Sequence, residues 1–496
     1  MTEMYDVAVI GLGPVGAALC NLLAQSGLRV VAFDAFDGPY SLPRATHLDG
    51  EALRILQNAG VSETLEPSLG IYTRMRFVNA QGDLLLDWPR SVEEGWQGWR
   101  DSNRFHQPAL ETALRENAQR HANLDLHLGQ RVEDLSQDRD GVTILTRSPA
   151  QQSQTFRARY VVGCDGARST VRAVMGVELQ VLDKPEQWLV VDLIINGAAP
   201  ALPEGTIQYC DPARPITYIE AVGARRRWEV MLIPGDDASR FAEPGHVWSL
   251  LAPWVSPGDA EIERAVVYTF NSAVAERWRR GRMLLAGDAA HQTPPFLGQG
   301  LCAGLRDAAN LGWKLAWVVK GLADERLLDT YPSEMKPHVT AFIVEANRIG
   351  AIIQERDPEM ARQRDEALRT GPQLLKSVRP SLGPGLTRSE IGPAASLSAQ
   401  PRLKDGRRLD DLAPYGFILL CEPGFSAEAP PRTRDLWRQA GLTVVEGEGA
   451  DWLESLGAKA VIIRPDRYIL GVANDLVQLE AITSQIPLRL KDALCD

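Results

Sequence analysis

The sequence predicts an α/β fold in which a parallel-sheet domain is interleaved with an antiparallel-sheet domain and followed by a small C-terminal α/β domain. A near-continuous apolar run, residues 5–10, leads straight into the glycine-rich segment GLGPVG, which is typical of a buried parallel strand. Between residues 181 and 270, short strand-like runs alternate with Pro/Gly turns, which indicates an antiparallel sheet. From Gly416 a fresh alternation of strands and helices covers about 80 residues, enough for a separate domain.

Composition excludes several classes of protein. The chain has 496 residues, of which 45% are hydrophobic and 24% charged, as in ordinary globular proteins. Its formal net charge is −11 and it has no concentrated basic run, which argues against nucleic acid or a membrane surface as the main partner. The apolar segment 7–24 lacks a preceding basic region and is interrupted by glycines, so we expect neither a signal peptide nor a membrane span.

The six cysteines are too scattered for a disulfide framework, and they show no CxxC or Cys/His metal-binding spacing. We therefore expect no metal site. A reducing, cytoplasmic location is the prediction that follows from this use of cysteine.

The first predicted elements form a βαβ unit that contains strand 5–10, a helix ending near Ser26 and strand 29–33. Gly27 follows the helix where a left-handed residue often caps it. The later elements of the parallel-sheet domain are, in chain order, helix 108–121, a hairpin of strands 131–137 and 142–146, strand 159–164, strand 282–287 and a long helix 303–320. The antiparallel domain is predicted to contain strands 188–195, 206–209, 216–221 and 228–233.

These elements divide the chain into domains. We expect the parallel-sheet domain to be built from residues 1–180 and 276–355, with 72–100 contributing to the antiparallel domain at 181–275. Residues 356–400 are polar, rich in Pro and Ser and only weakly periodic, so they are predicted to form a linker. The C-terminal domain is then 401–496.

The segment GLGPVG fits the dinucleotide fingerprint of a Rossmann-like domain. Gly11 permits the tight turn, Gly13 lets a pyrophosphate approach the backbone, and Gly16 lets the helix approach the strand. Asp34 lies 18 residues after Gly16, at the end of the second strand, where a carboxylate can accept hydrogen bonds from ribose hydroxyls. This context predicts a dinucleotide site, although the motif alone does not decide between NAD and FAD.

A second segment, GDAAHQTPPFLGQG at 287–300, favours FAD. Asp288 follows a buried strand, and the chain then turns through prolines and glycines into a helix. The N-terminus of that helix can present backbone N–H groups to the negatively charged edge of a reduced flavin.

Together with CDGARSTVR at 164–172, these two motifs resemble the single-component FAD-dependent aromatic hydroxylases, the class A flavoprotein monooxygenases. The resemblance covers nearly the whole chain. It implies a p-hydroxybenzoate hydroxylase-like fold with a thioredoxin-like C-terminal domain, and it allows a homodimer. It also implies FAD as cofactor, NAD(P)H as a transiently bound co-substrate, and hydroxylation of a phenolic substrate by O2 through a flavin C4a-hydroperoxide.

The resemblance also implies which residues bind FAD. Asp165 belongs to a motif that serves both FAD and NAD(P)H in the family, and the alternative for this residue is helix capping. The implied cofactor-binding residues are Gly11, Gly13, Gly16 and Asp34 at the AMP half, Arg44 and Gln107 near the flavin and pyrophosphate, Asp165, Asp288 at the ribityl chain, and Pro295, Gly300 and Leu301 beside the isoalloxazine.

A base near the substrate hydroxyl would make the ring electron-rich. Asp49 is the first candidate, because it matches an aspartate of the related phenol hydroxylases; the alternative is a cap of the helix that follows it. His47 is the second candidate, with ordinary packing as its alternative. His291, within GDAAH, is expected to be a structural hydrogen-bonding group.

The antiparallel sheet is expected to line the substrate pocket with Tyr209, Arg214 and Tyr218. Arg214 can hold a substrate carboxylate in a bidentate pair, or it can stabilise the turn in DPARP. The run 225–227, three arginines, is expected at a solvated hairpin tip. Cys421 has no CxxC partner in the C-terminal domain, whose other cysteine is Cys495, so that domain is expected to serve assembly or stability and not dithiol chemistry.

Two other functions remain open at this point. One is an FAD-dependent dehydrogenase or reductase of the same fold, and the other is a non-catalytic flavin-binding protein.

Overall fold

The computed structural model describes residues 4–197, 201–370, 377–387 and 392–489. Its strands, numbered in chain order, are β1 (Met4–Ile10), β2 (Val30–Phe33), β3 (His47–Asp49), β4 (Gly70–Ile71), β5 (Arg74–Val78), β6 (Leu84–Pro89), β7 (Ser102–Arg104), β8 (Leu124–His127), β9 (Arg131–Gln137), β10 (Val142–Arg147), β11 (Ser153–Gly163), β12 (Leu179–Ile195), β13 (Thr206–Tyr209), β14 (Ile216–Glu220), β15 (Arg225–Met231), β16 (Ala260–Ala275), β17 (Arg279–Arg280), β18 (Met283–Leu285), β19 (His291–Gln292), β20 (Ile418–Cys421), β21 (Thr443–Glu446), β22 (Ala460–Ile463) and β23 (Ile469–Ala473). Its α-helices are α1 (Pro14–Gln25), α2 (Gly50–Asn58), α3 (Ser62–Leu65), α4 (Gln107–Ala118), α5 (Thr170–Val174), α6 (Ala238–Phe241), α7 (Pro244–Leu251), α8 (Gly300–Val319), α9 (Thr330–Gln354), α10 (Pro358–Thr370), α11 (Pro431–Gln439), α12 (Ala450–Ser455) and α13 (Leu476–Thr483).

The first sheet has the strand order β17-β18-β11-β1-β2-β8, with the β9–β10 hairpin added to β11. Strand β1 lies between β2 and β11 and is parallel to both, and β18 is parallel to β11. Val7, Ala8 and Val9 are fully buried, in agreement with the continuous apolar run that predicts this strand. Because parallel strands end at one edge of a sheet, the loops after β1, β2, β11 and β18 come together there.

The second sheet has the order β19-β16-β12-β15-β14-β13-β5-β6. Its two long strands, β12 and β16, pair antiparallel over most of their length. Strands β5 and β6 belong to the segment 72–100 and join this sheet through β13, so the chain passes from the first sheet to the second and back before completing either. This sheet covers the edge of the first sheet where the loops converge.

Part of the predicted linker 356–400, Pro358–Thr370, forms helix α10. Helix α10 lies against β6, and Arg364 donates from its Nη2 to the carbonyl of Cys210 at 2.8 Å. Only Ala361 in this helix is buried, so the segment has no apolar stripe to reveal a helix in the sequence. Residues 371–376 and 388–391 of the predicted linker lie outside the described residues.

The C-terminal domain contains a four-stranded sheet of order β21-β20-β22-β23, in which β22 runs antiparallel to both neighbours. Buried ion pairs join it to the rest of the molecule. Asp410 accepts from Arg54 at 2.8 Å and from Arg467 at 2.8 Å, and Arg464 pairs with Glu334 on α9 at 2.7 Å. No helix in the described ranges is long and apolar enough to cross a membrane.

Cys421 is a free, buried cysteine in the central strand of this sheet. Burial raises the pKa of its thiol to about 12, so it is protonated at neutral pH and a poor nucleophile. We expect Cys421→Ser to leave the rate of substrate hydroxylation unchanged. A large loss of turnover in a correctly folded variant would instead reveal a redox role for the domain.

Candidate functional site

The loop between β1 and α1 has the backbone geometry that the glycine fingerprint predicts. Gly11 has φ +95°, and a Cβ there would lie 2.5 Å from the carbonyl oxygen of Cys164. A Cβ on Gly16 would lie 2.0 Å from the carbonyl oxygen of Gly11, so neither position accepts a side chain. At Gly13, by contrast, no atom lies within 4 Å of the Cβ position. The backbone at the start of α1 is therefore open to a ligand.

Asp34 lies at the end of β2, beside this loop. Its carboxylate accepts hydrogen bonds from the backbone N–H of Leu12 at 2.9 Å and from Arg115 at 3.0 Å. The second oxygen accepts from the N–H of Phe36 at 2.9 Å. Asp34 is thereby held in position next to Gly11, and Arg115 balances its charge.

A cavity of about 350 Å³ lies in front of α1 and α8, and we call it the cofactor cavity. Its walls include the N-termini of both helices. The positive ends of two helices therefore face one space, which favours an anionic ligand. The residues predicted to bind cofactor that line this cavity are Gly13, Arg44, Gln107, Asp288, Pro295, Gly300 and Leu301.

Asp288 is exposed toward this cavity although protein surrounds it. Among the described residues its carboxylate has no hydrogen-bond partner. Burial raises the pKa of this carboxyl group, with His291 and Arg44 acting in the opposite direction. A carboxylate without protein donors in a cavity is free to accept hydrogen bonds from a ligand's hydroxyl groups.

Gln107 fixes the chain on the other side of the cofactor cavity. Its side-chain oxygen accepts from the backbone N–H groups of Arg44 at 3.0 Å and Ala45 at 2.8 Å, and its amide nitrogen donates to Glu111 at 2.8 Å. Arg227 holds the same segment by donating to the carbonyl of Arg44 at 2.7 Å. The Arg44 side chain lies over the ring of Tyr40 and is left for a ligand.

A smaller space, the inner cavity, adjoins the cofactor cavity beneath the second sheet. The two cavities share residues on both sides: Thr46, Ile219, Glu229, Pro295 and Gly298. Tyr72, Thr206, Gln208 and Thr217 complete the inner wall, and Thr217 donates to the side-chain oxygen of Gln208 at 2.5 Å. A ring held here would lie beside the loop that carries Pro295.

The three residues predicted to bind substrate do not line the inner cavity. Tyr209 and Tyr218 point to the opposite face of the sheet, because they alternate with Gln208 and Thr217. Tyr218 packs against Trp228 with ring centroids 5.0 Å apart, and Tyr209 accepts a hydrogen bond from Trp254 at 3.1 Å. Arg214 pairs with Asp236 at 2.7 Å and stabilises a turn, which is the alternative the sequence allowed.

The arginine run is not at a solvated tip, so that prediction is wrong. Residues 225–227 begin strand β15. Arg225 pairs with Glu263 at 3.0 Å, whereas Arg227 is buried and pairs with Asp192 at 2.7 Å. The hairpin tip is instead the turn that directly precedes the three arginines.

His47 lies where the inner cavity meets a third space, the outer cavity. Its Nδ1 is 3.4 Å from the carbonyl oxygen of Gly298, and its Nε2 is 3.3 Å from Ser102 Oγ. Burial lowers the pKa of His47 to about 4, so the ring is neutral at pH 7. His47 therefore contacts the loop beside the cofactor cavity but carries no charge there.

Asp49 lines only the outer cavity, which is about 230 Å³ and shares no lining residue with the cofactor cavity. It caps α2 by accepting from the N–H of Ala52 at 2.8 Å, and it forms an ion pair with Arg306. Burial opposes its ionisation, but Arg306 and the Ala52 N–H outweigh burial and lower its pKa. This placement matches the capping alternative and leaves the catalytic prediction for Asp49 without support.

Asp165 also acts as a capping residue. It accepts from Ser169 Oγ at 2.5 Å and from the N–H of Val171 at 3.1 Å, at the start of α5. His291 lies 2.6 Å from Asp307, whose carboxylate also accepts from the N–H of Gly287 at 2.9 Å. As expected, His291 holds the loop that carries Asp288.

The most prominent residues that sequence reasoning missed are Glu229, Arg90 and Tyr468. Glu229 lines the cofactor and inner cavities, and Arg90 lines the inner and outer cavities. Tyr468, from the C-terminal domain, donates to Glu51 at 3.0 Å beside the outer cavity. The alternation of Arg227 and Glu229 with Trp228 and Val230 was a usable signal, since it places two charged groups on one face of a strand whose other face is apolar.

The fold and the site define a flavin-dependent aromatic hydroxylase. The FAD binding domain family matches residues 4–346, and the chain belongs to this family. A "Probable NADH-specific resorcinol 4-hydroxylase" from Rhodococcus jostii is 34% identical over 98% of this chain and 95% of its own length. A 3-(3-hydroxy-phenyl)propionate/3-hydroxycinnamic acid hydroxylase from Burkholderia vietnamiensis is also 34% identical, over 97% of this chain and 95% of its own length.

Solved structures agree on the fold. The flavin-dependent monooxygenase PieE, in complex with FAD and substrate, superposes with a TM-score of 0.80 at 23% identity, covering 97% of this chain and 98% of its own. Aklavinone-11 hydroxylase, with FAD and aklavinone, gives a TM-score of 0.80 at 23% identity over 98% of this chain and all of its own. The prediction of a p-hydroxybenzoate hydroxylase-like α/β flavoprotein is confirmed.

The residues of this chain fit FAD. The open backbone at Gly13, the helix N-termini and the Asp288 carboxylate suit the diphosphate and the hydroxyl-bearing chain of that cofactor. Arg44 and Gln107 line the same cavity.

Proposed function

We propose that this protein hydroxylates a phenol that carries an acidic side chain, using FAD, a reduced nicotinamide and O2. The observation that carries the substrate class is Arg90, a half-buried arginine at the join of the inner and outer cavities. Relatives named for 3-(3-hydroxyphenyl)propionate support an acidic phenol, whereas the relative named for resorcinol supports a neutral one. An acidic phenol needs a partner for its carboxylate, whereas a neutral phenol does not.

Arg90 forms no ion pair in the described part of the chain: the charge of Asp101 reaches it, but Asp101 is paired with Arg379 at 3.7 Å. Its Nη1 lies 3.3 Å from Ser377 Oγ, its guanidinium lies 3.4 Å from the centroid of the Trp88 ring, and its Nε is buried without a hydrogen-bond acceptor. By contrast Arg104, on strand β7, is already paired with Glu220 at 2.9 Å. An arginine with unused donors beside a cavity suits a ligand carboxylate.

In this proposal each wall has a role. When bound, FAD would supply the redox chemistry, since it accepts electrons from the reduced nicotinamide and activates O2. Tyr72, Phe296 and Leu297 are apolar walls of the inner cavity that keep water from the ring. Arg90 would hold the acidic side chain toward the outer cavity, so that the phenol ring is presented to the loop at Pro295.

We expect Arg90→Gln to raise the KM for 3-(3-hydroxyphenyl)propionate by about 10–100-fold, the usual worth of a hydrogen bond to a charged group. The KM for resorcinol should stay unchanged, because resorcinol has no carboxylate. Arg74→Gln is the matched control, since Arg74 pairs with Asp87 at 3.1 Å on the same pair of strands and lines none of the three cavities. Equal effects of Arg90→Gln on both substrates would contradict the assignment.

The hydroxylase reading is tested by stoichiometry. A hydroxylase consumes one O2 and one reduced nicotinamide for each hydroxylated product, and comparing NADH with NADPH identifies the reductant. An FAD-dependent dehydrogenase would form no oxygenated product, and a flavin-binding protein would consume no nicotinamide.

The C-terminal domain is proposed to be thioredoxin-like. Support comes from its strand order, with the third strand antiparallel to the first and fourth. Free cysteines support a reducing, cytoplasmic location. A homodimer stays a prediction from the family resemblance.

A further inference from the structure

Glu229 lies in the centre of strand β15, paired with Val190 on one side and Thr217 on the other. Its residue is 5% exposed, and it lines both the cofactor cavity and the inner cavity. Asp49 does not reach this boundary, and Tyr209 and Tyr218 lie behind the sheet. Within the described ranges, Glu229 is the carboxylate that borders both spaces.

Two buried carboxylates, Asp192 and Glu229, lie near Arg227, and they differ in how closely arginines pair with them. Asp192 pairs with both Arg227 and Arg264, so its oxygens are fully engaged. Glu229 forms one ion pair, with Arg227 at 3.8 Å, and also feels the charge of Arg264, but it has no hydrogen-bond donor among the described residues. Arg227 meanwhile donates to Asp192 and to the carbonyls of Pro43 and Arg44. The Glu229 carboxylate is therefore buried, close to a cation, and left without a donor.

Burying a carboxylate without a hydrogen-bond donor costs free energy unless a bound ligand supplies that donor. A phenolic hydroxyl is such a donor. Burial raises the pKa of Glu229, with Arg227 opposing, which makes it a stronger base than an exposed glutamate.

We propose that Glu229 accepts the proton of the substrate's phenolic hydroxyl, an inference that rests on the proposed function. The phenolic O–H bond breaks and a new O–H bond forms on the carboxylate. The electron pair stays on the phenolate oxygen, which makes the ring carbons ortho and para to it more nucleophilic. Arg227 offsets the negative charge shared by the pair.

The other titratable groups around the inner cavity fit this task less well. His47 is a weak base, because burial lowers its pKa to about 4. Burial raises the pKa of Tyr72, so it remains a protonated phenol and not a phenolate base. Asp49 is committed to Arg306 and to its helix cap.

The experiment compares Glu229→Gln with Glu263→Gln in the FAD-loaded enzyme. Glu263 lies on strand β16 of the same sheet, pairs with Arg225 at 3.0 Å and lines none of the three cavities. We expect Glu229→Gln to slow product formation by about 10²–10⁴-fold, the usual weight of one acid–base group, while nicotinamide oxidation continues and H2O2 is released. Glu263→Gln should remain coupled.

A fluorinated or nitro-substituted phenol, already ionised at the assay pH, needs no base. Glu229→Gln should therefore hydroxylate it at close to the wild-type rate. The absorbance of bound substrate gives a readout without turnover, because wild type should show the phenolate band of an ordinary phenol and Glu229→Gln should not. If Glu229→Gln loses FAD, the same comparison is made on Glu229→Asp, which keeps the charge but retracts it.

Tight coupling of Glu229→Gln on an ordinary phenol would overturn the inference, as would uncoupling that appears in Asp49→Asn and not in Glu229→Gln. Equal slowing on ionised and neutral phenols would show that Glu229 only maintains the cavity. A wild-type enzyme that hydroxylates no phenol would instead refute the proposed function.

Discussion

Asp288→Ala is expected to purify largely without FAD. The Asp288 carboxylate faces the cofactor cavity and has no donor among the described residues, so the hydroxyl groups of the cofactor's sugar-alcohol chain are its natural partners. Alanine removes the acceptor and leaves those hydroxyls without their protein partner. The measurement is the ratio of flavin to protein absorbance after gel filtration, followed by titration of the apoprotein with FAD.

Two further variants sharpen this test. Asp288→Asn keeps an acceptor oxygen and should retain FAD with weaker affinity, whereas Asp435→Ala, at an exposed i,i+3 pair with Arg438, should retain all of it. Burial raises the pKa of Asp288, so its carboxylate becomes protonated at a higher pH than an exposed aspartate does. Acidification should therefore also release FAD from wild type. Stoichiometric flavin in Asp288→Ala would refute the assignment.

Glu334→Ala is expected to destabilise the enzyme by about 3–5 kcal/mol, the usual cost of breaking a buried ion pair from one side. Glu334 accepts from Arg464 at 2.7 Å and from Lys314 at 2.6 Å, and all three side chains are buried. Burial opposes its ionisation, but the two cations hold the pKa of Glu334 well below its usual range. Its contribution is therefore present at neutral pH and lost on acidification below the pKa of an unfolded glutamate.

Glu334 lies on α9 and Arg464 on the C-terminal domain, so the loss should appear at their junction. Denaturant unfolding should give an earlier first transition, and limited proteolysis should cut between the domains. Glu359→Ala, at an exposed pair with Arg362, should change neither. An unchanged unfolding profile for Glu334→Ala would mean that other contacts carry the junction.

Release of the C-terminal domain should also disturb the outer cavity. Tyr468 lies 2.9 Å from His338 and donates to Glu51, which pairs with the same Arg306 that holds Asp49. The domain therefore contributes to the wall of the outer cavity.

The loops at the cofactor cavity were predictable because their conformations depend on neighbouring residues. The backbone at Gly11 has a positive φ, and the position of Gly16 has no room for a Cβ. Only glycine suits both positions, so the glycines in the sequence predict the turn. Asp288 was predictable for a related reason, since it directly follows a buried strand. The class of flavoprotein inferred from these segments is confirmed by the family match.

The wall of the inner cavity was not predictable in the same way. Both faces of β13 and β14 are largely buried, so hydrophobic alternation does not tell which face meets the ligand. Aromatic residues drew the prediction to Tyr209 and Tyr218, whereas the sheet places Thr206, Gln208 and Thr217 toward the cavity. The choice of face depends on which domain packs against the sheet.

The sequence by itself determined the parallel sheet, its nucleotide loop and the class of flavoprotein, because short-range backbone constraints leave a readable pattern of glycines. Only the tertiary structure decided the surroundings of Asp49 and Glu229. Asp49 is paired with Arg306, which is 257 residues away in the chain, and Glu229 is left without a hydrogen-bond donor among the described residues because two arginines are already committed to Asp192. The chemistry of a buried carboxylate depends on which cations reach it in space, and sequence spacing carries no record of that.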